Sequence, residues 1–141
     1  MKRVFIDSDV ILDLLLAREP HFIPAVRLFT LIEEKKLEGC VSSLIFANLY
    51  YLLRKAKMGP TAKAILQDLK LLLTILPVTE RTIGQALASE FRDFEDAIQY
   101  VVARESGIKL LITRNKKDYA RSEIEVCTSA EFLSTFEEHG R

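Results

Sequence analysis

Residues 5–15 read FIDSDVILDLL, and this stretch decides the predicted fold because an apolar strand passes directly into a helix within it. The apolar run 4–6 stops at Asp7, which is typical of a short buried β-strand. A helix is predicted to follow at once, with either Ser8 or Asp9 as its amino-terminal cap. An acidic residue therefore stands at the point where the first strand ends.

The rest of the chain continues this alternation of short apolar runs and amphipathic segments. Strands separated by helices predict parallel pairing, and therefore an α/β fold in which one sheet lies between layers of helices. We expect residues 1–141 to form a single domain, because this length leaves little room for a second. The predicted strands are 4–6, 40–41, 75–78, 109–113 and 124–127; the predicted helices are 10–16, 24–36, 43–53, 61–72, 79–88, 93–105 and 129–136, with Gly39 ending the second helix and Gly107 the sixth.

Charge and cysteine content limit the functions that fit this chain. The 20 basic residues balance the 20 acidic ones, so nucleic-acid binding would need a local patch, a bound cation or a basic partner. Cys40 and Cys127 lack the spacing of a zinc site and are expected to be buried free thiols, which suits a reducing cytosol. No apolar run approaches the roughly 18 residues of a membrane span. We therefore expect a cytoplasmic protein with no membrane association.

Polar and acidic side chains follow the predicted strands, which is where the sites of open parallel sheets lie. Asp7 follows the first strand, and Asn48 lies on the helix after the second. Asp93 and Asp96 are three positions apart and share one face of a helix. Carboxylates held together repel one another, and a hard divalent cation relieves that repulsion and can polarise a phosphoryl oxygen. The end of strand 109–113 and the segment after it add Thr113, Asn115 and Asp118.

Each of these acids also has a structural interpretation. Asp7 and Asp93 can cap helices instead of binding a ligand. Asp9 and Asp13 are interpreted as structural, with Asp9 at the rim of the site. Asp96 lies on an otherwise apolar helix face, where an unpaired carboxylate is costly. Asp96 is therefore the acid that is hardest to explain without a ligand.

Four segments, in an order that spans nearly the whole chain, resemble those of PIN-domain proteins: FIDSDVILDLL (5–15), VSSLIFANLYYLL (41–53), DFEDAIQYVVA (93–103) and LLITRNKKDY (110–119). The resemblance implies a PIN-like three-layer sandwich with a mostly parallel five-stranded sheet flanked by helices. It also implies a magnesium- or manganese-dependent endoribonuclease, that is, a hydrolase of RNA. Many small PIN proteins are VapC-like toxins of toxin–antitoxin pairs, so the resemblance further implies a homodimer and a small antitoxin partner.

The catalytic candidates follow from this resemblance position by position. Asp7 and Asp96 match acidic ligands of the family. Asn115 stands where many members have Asp, and Asp118 in the same segment is expected to supply the missing charge. Asp93 is expected to be an additional catalytic acid beside Asp96, with Glu95 as the weaker alternative. The expected metal ligands are therefore Asp7, Asp96 and Asp118.

The supporting candidates include the one clear departure from the family pattern. Most active members carry Glu where this chain has Asn48, which can offer an oxygen or a hydrogen bond but no charge. Thr113 is expected to orient a ligand or a water, and Ser8 is expected to support Asp7. The substitution at Asn48 motivates an alternative function, namely a catalytically weak or inactive PIN-like module that binds RNA or a protein partner.

Basic and aromatic side chains near the proposed site are candidates for RNA contact. Arg114, Lys116 and Lys117 crowd the loop after strand 109–113 and can contact phosphates, although solvated loop charges are an equal alternative. Tyr119 is the tyrosine nearest the site and the one candidate for stacking on a base. The segment Phe22–Leu37 can form an antitoxin groove or a dimer face, although ordinary core packing is the favoured explanation.

Overall fold

The computed structural model describes residues 1–139, and the side chains of residues 1–136. Strands and helices alternate along the chain, as the hydrophobic pattern predicts. The strands are β1 (Lys2–Ile6), β2 (Leu37–Ser42), β3 (Leu73–Leu76), β4 (Leu110–Ile112) and β5 (Glu125–Cys127). The helices are α1 (Ser8–Leu15), α2 (Phe22–Glu33), α3 (Ser43–Lys55), α4 (Ala62–Leu72), α5 (Glu80–Ala88), α6 (Phe94–Glu105) and α7 (Ser129–His139), with short 3-10 turns at Gly59–Thr61 and Lys116–Tyr119.

The five strands form one sheet in the order β3-β2-β1-β4-β5, and every neighbouring pair is parallel. Helices flank this sheet: α1 and α7 both pack on α2, while α3 packs on α4 and α5 on α6. The predicted α/β fold with a parallel five-stranded sheet is confirmed, and the sheet is parallel throughout. Because β1 lies at the centre, the residue after β1 stands beside the residues after β2 and β4.

The strands at the centre of the sheet form the middle of the core. Val4, Phe5 and Ile6 of β1 are fully buried, as are Leu111 and Ile112 of β4. A strand covered on both faces by helices is apolar at successive positions and not at alternate ones. This is why the run 4–6 could be recognised as a buried strand from the sequence.

Several predicted boundaries differ from the observed ones, and the third strand and the end of the second helix are the most informative cases. The third strand was predicted at 75–78 but occupies Leu73–Leu76, directly after α4 ends at Leu72. Helix and strand meet inside one apolar run, where periodicity cannot separate them. Pro77 has no backbone N–H to donate to a neighbouring strand, which is consistent with the strand ending at Leu76.

Gly39 does not end the second helix, which stops at Glu33 and is followed by Lys35 in the left-handed region at φ 59°. Gly39 lies inside β2, where an added Cβ would stand 2.7 Å from Ile32 Cδ1 and 3.0 Å from Leu73 Cδ2. This glycine allows α2 to approach the sheet closely. Gly107 does end its helix, as predicted, at φ 73°.

The remaining fold predictions have mixed outcomes. Leu28, Phe29 and Ile32 of α2 are buried in the core, so ordinary core packing accounts for the apolar face of Phe22–Leu37. Both cysteines are free thiols, but only Cys40 is buried and Cys127 is half-buried. Within the part of the chain that the structure describes, no helix has the length and apolar character needed to cross a membrane.

Candidate functional site

The site lies at the carboxyl ends of the central strands. The backbone N–H of Asp7 continues the β1–β4 pairing by donating to the carbonyl of Ile112 at 2.9 Å. Thr113 likewise donates its N–H to the carbonyl of Cys127 at 3.0 Å. Backbone hydrogen bonds of the sheet therefore fix Asp7 and Thr113 at the ends of adjacent strands, independently of their side-chain contacts.

Both oxygens of the Asp7 carboxylate accept hydrogen bonds. Oδ1 accepts from the backbone N–H of Ser8 at 2.8 Å, so Asp7 is also the amino-terminal cap of α1. Oδ2 accepts from the hydroxyl of Thr113 and from that of Tyr119, each at 3.0 Å. The supporting positions expected for Ser8 and Thr113 are thus both in contact with Asp7, Ser8 through its backbone and Thr113 through its side chain.

Asp96 approaches Asp7 from α6. Asp96 Oδ1 lies 3.5 Å from the Tyr119 hydroxyl that also contacts Asp7. Asp93 caps the same helix, because its Oδ1 accepts from the backbone N–H of Asp96 at 2.9 Å. The structural interpretation of Asp93 as a helix cap is therefore present in the structure, and the cap leaves one carboxylate oxygen of Asp93 outside this bond.

Asp9 belongs to the same cluster, although the sequence placed it at the rim. Its Oδ2 accepts from the backbone N–H of Arg114 at 3.1 Å, from Asn115 Nδ2 at 3.1 Å and from the Thr113 hydroxyl at 3.3 Å. Its Oδ1 is buried and has no hydrogen-bond partner among the described residues. Asp9 thus ties α1 to the loop after β4 and leaves one buried oxygen unsatisfied.

Crowding of these acids changes their proton affinity. Burial raises the pKa of Asp7, and repulsion from Asp118 adds to the shift. Burial, followed by repulsion from Asp7, raises the pKa of Asp9 to about 6. Burial and repulsion from Asp93, Asp7 and Asp118 raise the pKa of Asp96 to about 7. The ionised form of these carboxyl groups is therefore less stable in the cluster than it would be in water.

Asn48 does not touch this cluster through any hydrogen bond that the structure shows. Its Nδ2 donates to Glu95 Oε1 at 3.2 Å, at the exposed start of α6. Asn48 therefore connects α3 to the helix that carries Asp96. Asp118 lies in the 3-10 turn after Asn115, and its charge reaches both Asp7 and Asp96, as their raised pKa values indicate.

The three basic candidates differ in their surroundings. Arg114 donates from Nε to Asp13 Oδ2 at 3.1 Å and from Nη2 to Asp13 Oδ1 at 2.9 Å. Lys116 pairs with Glu131 at 3.1 Å on the surface. Lys117 lines a cavity of about 550 Å³ together with Asp93, Asp96 and Asp118. Among the described residues, Lys117 is the one of these three that stands beside the acids without an ion-pair or hydrogen-bond partner.

Tyr119 cannot serve as the stacking platform that the sequence suggested. Its side chain is 2% exposed, and its ring packs edge-on against Phe91. Its hydroxyl points instead at the carboxylates. Burial and the charges of Asp7 and Asp96 raise the pKa of this phenol, so it remains a hydrogen-bond donor at any physiological pH.

The donor set suits a hard divalent cation. All groups at the cluster offer oxygen, and the buried Asp9 Oδ1 is an oxygen that a cation would satisfy. Among the described residues, no three His, Cys, Asp or Glu side chains already form an ion cage. Magnesium usually takes one or two carboxylates and keeps several waters, so it does not require such a cage.

Comparison with known proteins identifies the family of this chain. The model of the PIN domain matches residues 3–117. Ribonuclease VapC1 of Aquifex aeolicus is 30% identical in an alignment of 139 positions that covers 93% of this chain and 93% of the relative. The resemblance read from the four sequence segments is therefore confirmed.

Solved structures share the fold at lower identity. A DNA-bound VapBC structure from Salmonella typhimurium superposes with a TM-score of 0.69 at 18% identity, covering 92% of this chain and 99% of the other. A toxin–antitoxin complex from Klebsiella pneumoniae gives 0.67 at 20% identity, covering 89% and 97%. VapC20 of Mycobacterium tuberculosis, described as a toxin that cleaves the sarcin–ricin loop, gives 0.62 at 22% identity, covering 77% and 86%.

Proposed function

The chain belongs to the PIN-domain family and is a homologue of VapC ribonucleases, and from that premise we propose that it is an endoribonuclease dependent on Mg²⁺ or Mn²⁺. One observation supports this most strongly. Asp7 at the end of β1 and Asp96 on α6 approach one buried hydroxyl, that of Tyr119, while Asp9 beside them keeps an unsatisfied buried oxygen. Convergence of acids from separate elements at a strand end is what a metal-assisted hydrolase requires.

Asp7, Asp96 and Asp118 are the residues proposed to hold the metal, with Asp93 and Asp9 adding negative charge around them. The bound ion would polarise a phosphoryl oxygen and make an attacking water more acidic. During hydrolysis the water oxygen bonds to phosphorus, and the bond from phosphorus to the leaving ribose oxygen breaks. The leaving oxygen takes up a proton.

The chain's own residues supply orientation in this proposal. Thr113 and Tyr119 fix the Asp7 carboxylate through Oδ2. Asn115 donates to Asp9 and so acts through that side chain. Hydrogen-bonded partners of this kind set the direction and the basicity of metal-binding carboxylates.

RNA is the proposed substrate, since the relative that matches nearly the whole chain is named a ribonuclease. Lys117 lines the cavity beside the acids and is the basic candidate best placed to meet a phosphate. Arg114 and Lys116 remain candidates, although each already has a carboxylate partner.

A small antitoxin is the proposed protein partner, with a homodimer as the proposed assembly and the cytoplasm as its location. The support is that structures sharing this fold are toxin–antitoxin complexes. An adjacent small reading frame whose product co-purifies with this chain and abolishes its RNA cleavage would be the expected finding. Cleavage that no adjacent gene product inhibits would contradict the toxin assignment.

The test of the enzymatic proposal is RNA cleavage with a charge-neutral variant. Purified protein is incubated with total RNA and Mn²⁺, with and without a chelator, beside the variants Asp96→Asn and Asp68→Asn. Asp68 is exposed on α4, outside the cluster, so it controls for the loss of one carboxylate. We expect the chelator and Asp96→Asn to abolish cleavage and Asp68→Asn to leave it intact. Full cleavage by Asp96→Asn would refute the site.

The alternative of a non-cutting module is motivated by Asn48, which cannot supply the charge of the family's usual Glu. The comparisons favour the nuclease. In the same experiment, RNA binding without cleavage under every metal condition would identify the alternative.

A further inference from the structure

The cavity beside the acids is a cleft between two chain segments. Glu90, Phe91, Arg92 and Asp93 come from the connection between α5 and α6, and Lys117, Asp118, Ala120 and Arg121 come from the turn after β4. Asp96 of α6 also lines the cleft. The cleft measures about 550 Å³, a size that takes a short piece of a flexible ligand and not a whole duplex.

Positive charges stand on both walls of this cleft. Arg121 is already engaged, because its Nη1 lies 3.7 Å from Glu90 Oε2 on the opposite wall. Arg92 and Lys117 are not engaged, because within residues 1–136 neither side chain forms a hydrogen bond or an ion pair. One cation on each wall is therefore available to a ligand.

The acids of the cleft stand on the same two walls as these cations. Asp93 lies on one wall and Asp118 on the other, and within residues 1–136 neither Arg92 nor Lys117 is hydrogen-bonded or ion-paired to them. Each wall of the cleft thus presents an acid together with an unpaired cation.

That charge pattern fits a single strand of nucleic acid. A metal ion on the acids would face one phosphate, while the neighbouring phosphates on the same strand would need positive partners on either side. In a chain of zero net charge, such local partners must supply the attraction that the whole molecule does not.

We propose that Arg92 and Lys117 bind the two phosphates that flank the scissile phosphate of a single-stranded RNA lying in this cleft. Arg92 is assigned no role by its sequence pattern, and here it is a substrate-contacting residue. The inference rests on the proposed ribonuclease function, because it takes the acids as the reacting centre. The exposed pair Glu90–Arg121 spans the two walls at the surface of the cleft.

The test measures binding of a fluorescein-labelled oligouridine of about ten nucleotides, with Ca²⁺ in place of Mn²⁺, across a range of salt concentrations. The variants are Arg92→Gln, Lys117→Gln and the double change. The controls are Arg81→Gln, which removes an exposed arginine of α5, and Lys63→Gln, which removes an exposed lysine of α4. Mn²⁺ affinity and Tm are measured for every variant.

We expect each single change to weaken RNA binding about three- to tenfold and to lower the salt slope by about 0.7, with the double change lowering it by about 1.4. Mn²⁺ affinity and Tm should stay at the wild-type values, and the controls should leave the slope unchanged. In cleavage assays KM should rise while kcat holds.

An unchanged salt slope in Arg92→Gln and Lys117→Gln, with Mn²⁺ binding intact, would overturn the proposal while leaving the ribonuclease function standing. Loss of Mn²⁺ binding in either variant would also overturn it, because the cation would then act on the acids. Absence of Mn²⁺ binding in the wild-type protein, even with RNA present, would instead refute the function on which the proposal rests.

Discussion

Arg114 and Asp13 form a two-point charge pair between segments 101 positions apart in the sequence, with Nε 3.1 Å from Oδ2 and Nη2 2.9 Å from Oδ1. The Asp13 carboxylate is 4% exposed and also accepts from Arg18 Nε at 3.0 Å. This pair fastens the loop after β4 onto α1. The same loop presents the backbone N–H of Arg114 and the amide of Asn115 to Asp9.

Replacing Arg114 with Leu should therefore destabilise the fold by about 1–3 kcal/mol, because a buried carboxylate loses two charge-assisted hydrogen bonds. Thermal unfolding should show the loss as a fall of several degrees in Tm. Lys116→Leu is the matched control, since its pair with Glu131 is exposed and should change stability by less than about 1 kcal/mol. If Arg114→Leu kept full stability but lost RNA binding, the prediction that Arg114 contacts RNA would be favoured over this structural role.

Removing the Tyr119 hydroxyl should weaken metal binding more than it weakens the fold. Tyr119→Phe deletes one donor to Asp7 Oδ2 and leaves the buried ring in place. Loss of a hydrogen-bonding partner of a metal ligand typically costs about 10- to 100-fold in metal affinity or activity, so Mn²⁺ affinity should fall by about tenfold.

Tyr100→Phe is the control for this change. Tyr100 is also buried, but its hydroxyl accepts from the backbone N–H of Glu123 at 3.2 Å and is not bonded to the acids. Calorimetric titration of both variants makes the comparison. Equal Mn²⁺ affinity for the two would contradict a positioning role for Tyr119.

Stability of the metal-free protein should decrease as the pH rises. The pKa values of Asp9 and Asp96 are raised from an ordinary 3.8 to about 6 and about 7 in the folded chain. Between the ordinary pKa of 3.8 and these raised values, the folded state binds more protons than the unfolded state. Raising the pH through this range therefore favours unfolding. In chelator, Tm should fall between about pH 4.5 and about pH 7.5 and then level off. Saturating Mn²⁺ should remove this fall in Tm, because the bound metal then neutralises the carboxylates that protons neutralise at lower pH.

Asp96→Asn isolates the cause of this pH dependence. The variant should be more stable than the wild type at neutral pH in chelator, since it removes a charge that Asp93, Asp7 and Asp118 repel. Its Tm should also depend less on pH. A wild-type Tm that rises between mildly acidic and neutral pH in chelator would show that the acids are not crowded in the way described.

The sequence was most informative where local pattern and strand order coincide. Asp7 and Thr113 were predicted at one edge of the sheet because each follows a buried strand, and the pairing of β1 with β4 places them there. Asp96 stood out because an acid on an apolar helix face has no local explanation.

What could not be predicted depends on contacts between distant segments. Asp9 was interpreted as peripheral because its place in the first turn of α1 looks like a helix-capping position, whereas its partners come from the loop more than 100 positions later. The pairing of Arg114 with Asp13 could not be predicted for the same reason, because these residues lie 101 positions apart in the sequence. Tyr119 was named as a candidate for stacking because exposure cannot be read from a short polar segment, and the structure buries its ring.

The central claim is that the acids at the carboxyl edge of the sheet hold a divalent metal, and Mn²⁺ titration tests it most directly. The wild type, Asp7→Asn, Asp96→Asn and the exposed control Asp68→Asn are titrated with Mn²⁺, with and without a short RNA that can complete the coordination of the ion. Saturable binding by the wild type and Asp68→Asn, weakened at least about tenfold in Asp7→Asn and Asp96→Asn, is the predicted result. Binding that both site variants retain, or no binding up to about millimolar Mn²⁺ even with RNA present, would contradict the account.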